Sequence, residues 1–336
     1  MAQLDPTDLT LVTGAGGFIG GHLVAELRRR GHRRLRAVDI KPLDQWFQRF
    51  DDADNRVLDL RRKDACHLAT GDARYVFNLA SDFGGMGFIE LNKALCMMAV
   101  LINTHMLMGA RHAGVERFFF SSSACVYAAD KQTSEAVVPL REEDAYPALP
   151  EDGYGWEKLF SERMCRHFSE DFGLKTRMAR YHNVYGPFGA YDGGREKAPA
   201  AICRKVIEAK LSGSPSIEVW GDGEQTRSFT YIDDCVEGTL RLMESDFSEP
   251  LNIGSDQLVT VNQLVDIVEC IAGIKLAHRY KLDAPKGVRG RNSDNTLVRH
   301  SLGWSPSRGL EDGLRETYAW IYAQMNESRN EQSLVV

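Results

Sequence analysis

The run Thr10-Leu-Val-Thr-Gly-Ala-Gly-Gly-Phe-Ile-Gly20 constrains the fold of this chain more than any other segment. Residues 9–13 are mostly apolar and lead into glycines, the pattern of a buried strand entering a turn. Gly14, Gly17 and Gly20 give a GxxGxxG spacing. Residues 18–30 then read as a helix, with Gly31 placed to stop it. A tight strand-to-helix turn of this kind lets backbone amides, here those around Phe18 and Ile19, approach a pyrophosphate at a helix N-terminus. A second strand over 35–40 carries Asp39, 19 residues beyond Gly20. A carboxylate there accepts hydrogen bonds from adenosine ribose hydroxyls and repels a 2′-phosphate, so NAD is expected rather than NADP. A glycine turn alone is a weak signal. Strand, helix and closing acid together make it specific.

Further short strands are expected at 56–60, 75–80, 117–121 and 176–181, with helices at 91–113 and 154–172. This alternation predicts an α/β fold, a Rossmann-type doubly wound parallel sheet. In such a sheet the strand C-termini line the ligand crevice. Asp59 and Leu60, closing the third strand, are candidates to cover an adenine, and Ala80 closes the fourth on the same edge. Each alone reads equally well as a strand-end residue serving the backbone. After about residue 183 the pattern loosens, and Gly, Pro and charged residues crowd 186–199. A helix at 199–211, a strand at 216–220 and helices at 261–272 and 309–324 predict a smaller α/β C-terminal substrate domain. The expected division is 1–182 plus about 225–255 for the dinucleotide-binding domain and 183–224 plus 256–326 for the substrate domain, with 327–336 a frayed tail.

Composition narrows the partners. With 336 residues the chain can bury a sizeable core without disulfides. Its net charge of -6 carries no global basic footprint for nucleic acid or anionic lipid. No run of about 20 apolar residues is evident and the N-terminus lacks a signal-peptide pattern, so no membrane association is expected. The seven cysteines are scattered, form no CxxC pair and share no zinc-ligand spacing with the nine histidines. Buried thiols in a reducing, cytoplasmic setting and no metal site are therefore expected.

Chemistry enters at Tyr154-Gly-Trp-Glu-Lys158. The i, i+4 spacing puts Tyr154 and Lys158 on one helix face. An ammonium beside a phenol favours the phenolate. Such a tyrosine takes the proton of a sugar hydroxyl while the hydride leaves to a nicotinamide. Ser123, at the end of a strand, is placed to hydrogen-bond the same oxygen.

With these motifs the chain resembles the extended short-chain dehydrogenase/reductase family, the nucleotide-sugar epimerases and dehydratases. Asn183-Val-Tyr-Gly-Pro187, Arg227-Ser-Phe-Thr-Tyr-Ile-Asp233 and Leu302-Gly-Trp-Ser-Pro306 extend the likeness over nearly the whole chain. Longer strings are similar to the 3,5-epimerase branch, which acts on GDP-mannose. They are Ser81-Asp-Phe-Gly-Gly-Met-Gly-Phe-Ile89, Ser122-Ser-Ala-Cys125, Gly193-Gly-Arg-Glu-Lys-Ala-Pro-Ala-Ala201 and Gly287-Val-Arg-Gly-Arg-Asn-Ser-Asp294.

The resemblance implies a GDP-sugar substrate, oxidation at C4 with Tyr154 as base, inversion at C3 and C5, and return of the hydride. It implies Cys125 and Lys197 as the base and acid of the inversion. It sets Lys205 and Arg291 on the diphosphate, and Glu196 and Asn183 on the sugar and substrate. The same resemblance implies that Gly85, Met86 and Gly87 form the turn over the hexose, that Gln225 lies near the nucleotide, and that a homodimer forms through the long helix and the Tyr154 helix. From the residues alone, Cys125 reads equally as a small buried hydrophobe and Lys197 as a solvated lysine. Lys205, Asn183 and Gln225 read equally as surface or structural polar groups. A thiol at 125 serves as a base if a nearby cation lowers its pKa. The rival readings are a nucleotide-sugar 4-epimerase or 4,6-dehydratase, and a non-catalytic NAD-binding sensor. Ala124-Cys125 stands where a dehydratase of this family needs an Asp-Glu pair, and both Tyr154 and Lys158, which a sensor typically loses, are present.

Overall fold

The computed structural model describes residues 3–285 and 287–334, apart from the side chains of 328 and 330–334. Strand β1 (Thr10–Thr13) runs into α1 (Phe18–Arg29), followed by β2 (Leu35–Asp39), β3 (Asp54–Val57), α2 (Lys63–Thr70) and β4 (Tyr75–Asn78). Helices α3 (Met86–Leu91), α4 (Lys93–Met97) and α5 (Ala99–His112) then lead to β5 (Arg117–Ser123), α6 (Tyr154–Phe172) and β6 (Lys175–Tyr181). Next come β7 (Val184–Tyr185), α7 (Ala198–Ser212), β8 (Ser216–Trp220), β9 (Thr226–Ser228), β10 (Thr230–Tyr231) and α8 (Ile232–Glu244). The chain closes with β11 (Pro250–Ile253), β12 (Leu258–Thr260), α9 (Val261–Ala272), β13 (Ala277–Lys281), β14 (Gly290–Arg291), α10 (Thr296–Leu302) and α11 (Leu310–Leu334).

Seven strands form one parallel sheet in the order β11-β6-β5-β4-β1-β2-β3. β5 shows why it is covered on both faces. Every residue of Arg117-Phe-Phe-Phe-Ser-Ser-Ser123 is buried. Phe118 and Phe120 pack with Leu11 and Val76 in one apolar core, and Phe119 packs with Val12 and Phe77 in the other. Successive side chains of a strand point to opposite faces, so a strand buried on both sides carries a continuous apolar run. The fourth-quarter strand β11 returns to the edge of this sheet beside β6. The remaining strands form small sheets, β12-β9-β14, β13-β8 and β10-β7. These sheets, with α7 and α9, cover the C-terminal edge of the large one, where β2, β4 and β5 end on Asp39, Asn78 and Ser123.

The single helix expected over 91–113 is instead two, α4 and α5, preceded by α3, which ends at Leu91. Asn92 leaves helical geometry, and its side-chain amide donates to the Phe88 carbonyl at 2.9 Å, capping α3. The segment Lys93–His112 is apolar and long enough to cross a membrane, contrary to the reading from sequence. Here it is divided between α4 and α5, and α5 packs on α2 and α6 with Asn103 buried in a polar chain. The expected strand at 56–60 lies two residues earlier, because Asp59 turns the chain by accepting the Arg61 amide at 3.0 Å. The segment expected to fray, 327–336, is helical to Leu334, and its last two residues lie outside the described ones.

One buried ion pair ties β6 to α6 beneath the site. Arg180 and Glu162 are both buried and meet at 2.7 and 2.9 Å. Ser122 on β5 donates to the same carboxylate at 2.5 Å, and Arg180 reaches the Glu142 carbonyl at 2.6 Å. Removing one partner strands a buried charge, which costs about 3–5 kcal/mol. Glu162→Ala is therefore expected to lose about that much stability in chemical denaturation. A loss under about 1 kcal/mol would show that the pair does not anchor these elements.

Candidate active site

Two close backbone approaches build the site. In the first, Gly14 adopts φ +70°, and a Cβ on Gly20 would lie 2.1 Å from the Gly14 carbonyl oxygen. Glycine alone allows α1 to start that close to the end of β1. Gly17 caps the helix without a side chain, so the first amides, Phe18 and Ile19, have no intrahelical acceptor. Ala80 lies against this turn, its amide 3.2 Å from the Thr13 hydroxyl. Asp39 closes β2, buried, with one oxygen accepting the Lys41 amide at 3.0 Å. A bare cradle of amides at a helix start, with a carboxylate at the neighbouring strand end, fits a dinucleotide with a free ribose 2′-hydroxyl. Asp59 is paired with Arg61 at 2.8 Å at the next strand end, while the Leu60 side chain is in the core.

The second approach joins the ends of β5 and α6. The Glu151 amide donates to the Cys125 carbonyl at 3.0 Å. A Cβ on Gly155 would stand 2.3 Å from that same oxygen. The first turn of α6 is thereby pressed against Cys125, and Tyr154 shares a buried cluster with Cys125, Ile89 and Cys96. Ser123, whose hydroxyl accepts the Cys125 amide at 3.2 Å, completes the corner. The Lys158 ammonium lies 5.4 Å from the Tyr154 ring centre and 4.8 Å from that of Phe120. Burial pushes the Tyr154 phenol well above its ordinary value, while the Ser123 hydroxyl pulls it down.

In front of this corner a cavity opens between the 83–87 turn, the 194–205 segment and the small sheets. It brings together Gly85, Met86, Gly87, Ser123, Cys125, Asn183, Glu196, Lys197, Lys205, Gln225 and Arg291, all expected as substrate or catalytic residues. The turn is tied to the facing loop by the Gly85 amide, which donates to the Arg195 carbonyl at 3.1 Å. Phe83 is shared by the two halves. Its ring stacks on Tyr154 at 5.0 Å between centres, and the Lys197 ammonium sits over it at 4.6 Å. Burial brings the half-buried Lys197 down to about 8. Glu196 Oε2 and Gln225 Oε1 are buried with no hydrogen-bond partner among the described residues, two acceptors at the cavity wall. Asn183 donates to the Ser228 carbonyl at 3.0 Å, and Lys205 to that of Glu218 at 3.0 Å.

Two placements differ from expectation. Burial, and then the charge of Glu151, push the Cys125 thiol up to about 11, although Arg291 and Ser123 pull it down. The expected cation is present, but a carboxylate accompanies it. Arg291 itself is buried beside this thiol. Its nitrogens donate to Gln132 at 2.6 Å, to Cys125 Sγ at 3.6 Å and to Glu151. Glu151, Phe83, Trp220 and Arg227 also belong to the site and were not singled out from sequence. Arg227 opens a quoted motif, so its place there was the available signal. Burial lowers it to about 10, and it donates to the carbonyls of Thr226 and Val288 at 2.7 and 2.6 Å. Away from the cavity Asp266, Glu269 and His278 converge, but the Lys275 ammonium already bridges the two acids at 2.6 and 2.8 Å.

The profile of the NAD dependent epimerase/dehydratase family matches residues 10–254. The chain belongs to this family. The family's name carries the cofactor that the glycine cradle and Asp39 fit. Among curated relatives, GDP-mannose 3,5-epimerase 1 of Oryza sativa subsp. indica is 48% identical over 321 residues, covering 95% of this chain and 83% of that one. Among solved structures, the UDP-glucose 4-epimerase of Thermotoga maritima with UDP-glucose superposes with a TM-score of 0.84 at 27% identity, covering 94% and 99% of the two chains. The UDP-glucuronic acid 4-epimerase of Bacillus cereus, in complex with UDP-glucuronic acid and NAD, gives 0.79 at 25% identity over 94% and 99%. The α/β fold with its doubly wound sheet and the NAD-dependent epimerase chemistry are thus those of the family.

A buried carboxylate at the end of β2 is expected to discriminate between the two nicotinamide dinucleotides. Calorimetry is expected to show NAD bound at least tenfold more tightly than NADP. Asp39→Ala is expected to weaken NAD by about tenfold or more, the size of a hydrogen bond to a charged group at about 1.5–3 kcal/mol, and to narrow the gap. Equal binding of both by the parent protein would remove Asp39 from this role.

Proposed function

We propose that this chain is a GDP-mannose 3,5-epimerase. One observation carries the reading: a cysteine and a lysine, Cys125 and Lys197, line one cavity with Ser123, and Tyr154 packs directly against Cys125. A 4-epimerase needs only the tyrosine and serine. Inversion beside a ketone needs a base and an acid as well. The 48% identity to a GDP-mannose 3,5-epimerase over 95% of the chain supports the same substrate. The cavity is suited to a diphosphate, since Lys197, Arg204, Lys205, Arg227 and Arg291 line it against Glu196 and Glu218. Local excess positive charge in a chain of net charge -6 focuses an anionic ligand there.

When bound, NAD supplies the hydride acceptor, and later the donor, at C4. Tyr154 takes the proton of the 4-hydroxyl, helped by the Lys158 ammonium on its own helix face and by the Ser123 hydroxyl. The C4 ketone then acidifies the hydrogens on C3 and C5. Cys125 removes such a proton, and Lys197 delivers one to the opposite face. Lys197, Arg291 and Arg227 stabilise the enolate between the two steps. Glu196 Oε2 and Gln225 Oε1, the unpartnered acceptors, hold hydroxyl or amide donors of the substrate. The exposed Met97, Met98 and Leu101, with Trp156 and Phe160 on the neighbouring α6, support a homodimer through these helices. Seven free cysteines, six of them buried, support a cytoplasmic setting.

Incubation with GDP-mannose in heavy water tests the reading. The expected outcome is deuterium at C3 and C5 with inverted products by NMR. Products changed only at C4 would make the chain a 4-epimerase. Tyr154→Phe is expected to abolish every product, and substantial turnover by it would refute oxidation at C4. Cys125→Ala is expected to keep C4 oxidation, read by trapping the ketone with borotritide, and to lose deuterium exchange by a factor of about 100 or more.

The pH dependence follows from the two shifted groups. Lys197 must be protonated to act as the acid, and it releases its proton near pH 8. Cys125 must be deprotonated to act as the base, and its thiolate fraction rises towards about 11. Raising the pH from 7 to 9 is therefore expected to increase exchange relative to net inversion. A ratio that falls or stays constant over this range would reverse or dissolve the two assignments.

A further inference from the structure

The mechanism leaves the buried acid beside the thiol without a task. Glu151 lies in the loop before α6, with only 10% of its side chain exposed. It is bonded to Cys125 through backbone, since its amide donates to the Cys125 carbonyl at 3.0 Å. It is also bonded through Arg291, whose guanidinium donates to Glu151 Oε1 and, at 3.6 Å, to Cys125 Sγ. The carboxylate and the thiol thus sit side by side across one planar fork, itself fixed by Gln132 at 2.6 Å. The second carboxylate oxygen, Oε2, is buried and has no partner among the described residues.

We propose that Glu151 accepts the Cys125 thiol proton and so generates the thiolate that inverts the sugar carbon. The proposal rests on Cys125 being the base. In the step, the S–H bond of Cys125 breaks and an O–H bond forms on Glu151. The negative charge passes from carboxylate to sulfur, and both positions lie against the Arg291 guanidinium. The charge of the cluster is unchanged, so its burial does not oppose the transfer as it would oppose loss of a proton to bulk water. The thiolate next takes the hydrogen on the carbon beside the C4 ketone as a proton: S–H reforms, C–H breaks, and its electron pair becomes the enolate. Lys197 then protonates the carbon from the other face. The cycle closes when the proton on Glu151 passes through solvent to Lys197.

The charge of Glu151 opposes a thiolate while it stays ionised, and its protonation in the step removes that opposition. Arg291 on β14, Arg227 on β9 and Lys197 before α7 face the pair, as do Tyr154 on α6 and Cys96 on α4. Three cations favour negative charge at this spot, whether on oxygen or on sulfur. Burial disfavours the charge on Glu151, yet Arg291 and the Cys125 hydrogen bond hold the carboxyl below its ordinary value. The acid is therefore ionised at neutral pH with an acceptor oxygen unpartnered among the described residues, and the transfer to it is uphill, so the thiolate forms only transiently and is drawn off by the sugar C–H proton. Glu151 acts through Cys125 and is a positioning residue in the sense that it never meets the substrate.

Glu151→Gln keeps the shape and the hydrogen bond to Arg291 but cannot accept the proton. Three quantities are to be measured: deuterium entering C3 and C5 against pH, borotritide trapping of the ketone, and thermal stability. The expected result is exchange slowed about 100-fold at pH 7 with ketone formation retained. Exchange then recovers as the pH rises and solvent hydroxide replaces the carboxylate, so the acid limb of the profile moves upward. Glu151→Asp, which withdraws the acceptor by one methylene, is expected to be about tenfold slower with the acid limb unmoved, and it serves should the Gln variant fail to fold. Wild-type exchange and an unmoved limb in Glu151→Gln would overturn the proposal. So would an acid limb moved downward, because the carboxylate would then act only by repelling the thiolate. Full exchange by Cys125→Ala would instead remove the underlying reading, and this proposal with it. An inactive Cys125→Ala beside a wild-type Glu151→Gln removes this proposal alone.

Discussion

Everything in the site hangs on the carbonyl oxygen of Cys125. It receives the Glu151 amide at 3.0 Å, and it lies where any Cβ at position 155 would collide with it at 2.3 Å. That contact sets how far α6 advances over the end of β5. With Gly155 the helix comes down until the Tyr154 ring stands against Cys125 and Phe83. Lys158, one turn further, falls behind the tyrosine. A larger residue at 155 would lift the first turn and separate Tyr154 from Cys125. The Arg180–Glu162 pair acts beneath the same joint, holding β6, α6 and Ser122 of β5 in one buried network.

Within this frame burial shifts the two ionisable groups in opposite directions. Desolvation always favours the neutral form, so it raises the thiol to about 11 and lowers the ammonium to about 8. The two shifts act differently: the ammonium gives up its proton more readily, while the thiolate becomes scarcer and more basic. They bring thiol and amine closer in energy to thiol and ammonium, and they move thiolate and ammonium further away. A base that is scarce at rest is useful if it is formed only when needed, next to a carbon already acidified by a ketone. The cations around the sulfur then matter more for the enolate and the thiolate than for the resting thiol.

Much of this was legible in the chain because it is local. Gly14, Gly17, Gly20 and Asp39 sit within one strand–helix–strand unit, and Tyr154 and Lys158 lie within one helical turn. Periodicity placed β1, α1, β2 and α6 within about two residues. The break at Asn92 was not legible, because it depends on a side chain competing for the Phe88 carbonyl rather than on the apolar pattern. Nor was the shared fork of Arg291, which meets Glu151 140 residues earlier and Cys125 166 residues earlier. Such meetings depend on β14 pairing beside β9, a register that no local pattern announces. For the same reason the thiol was expected to be lowered by a cation, and the carboxylate that arrives with that cation was missed.

Phe83 shows how the two chemistries share one wall. Its ring lies between the Tyr154 phenol, 5.0 Å away, and the Lys197 ammonium, 4.6 Å away. A cation over an aromatic face is held without a counter-ion, so Lys197 keeps a site for its charge while burial lowers its proton affinity. A carboxylate in place of the ring would fix the proton on the lysine and deny it to the sugar. The aromatic ring permits both protonation states and presents an apolar wall to the cavity. The turn that carries it is tied through Gly85 to the Arg195 carbonyl, two residues before Lys197. Movement of the 83–87 turn would therefore move the lysine and the wall of the tyrosine pocket together. The surroundings of Tyr154 and Lys197 are in this way joined through packing rather than through a shared ligand.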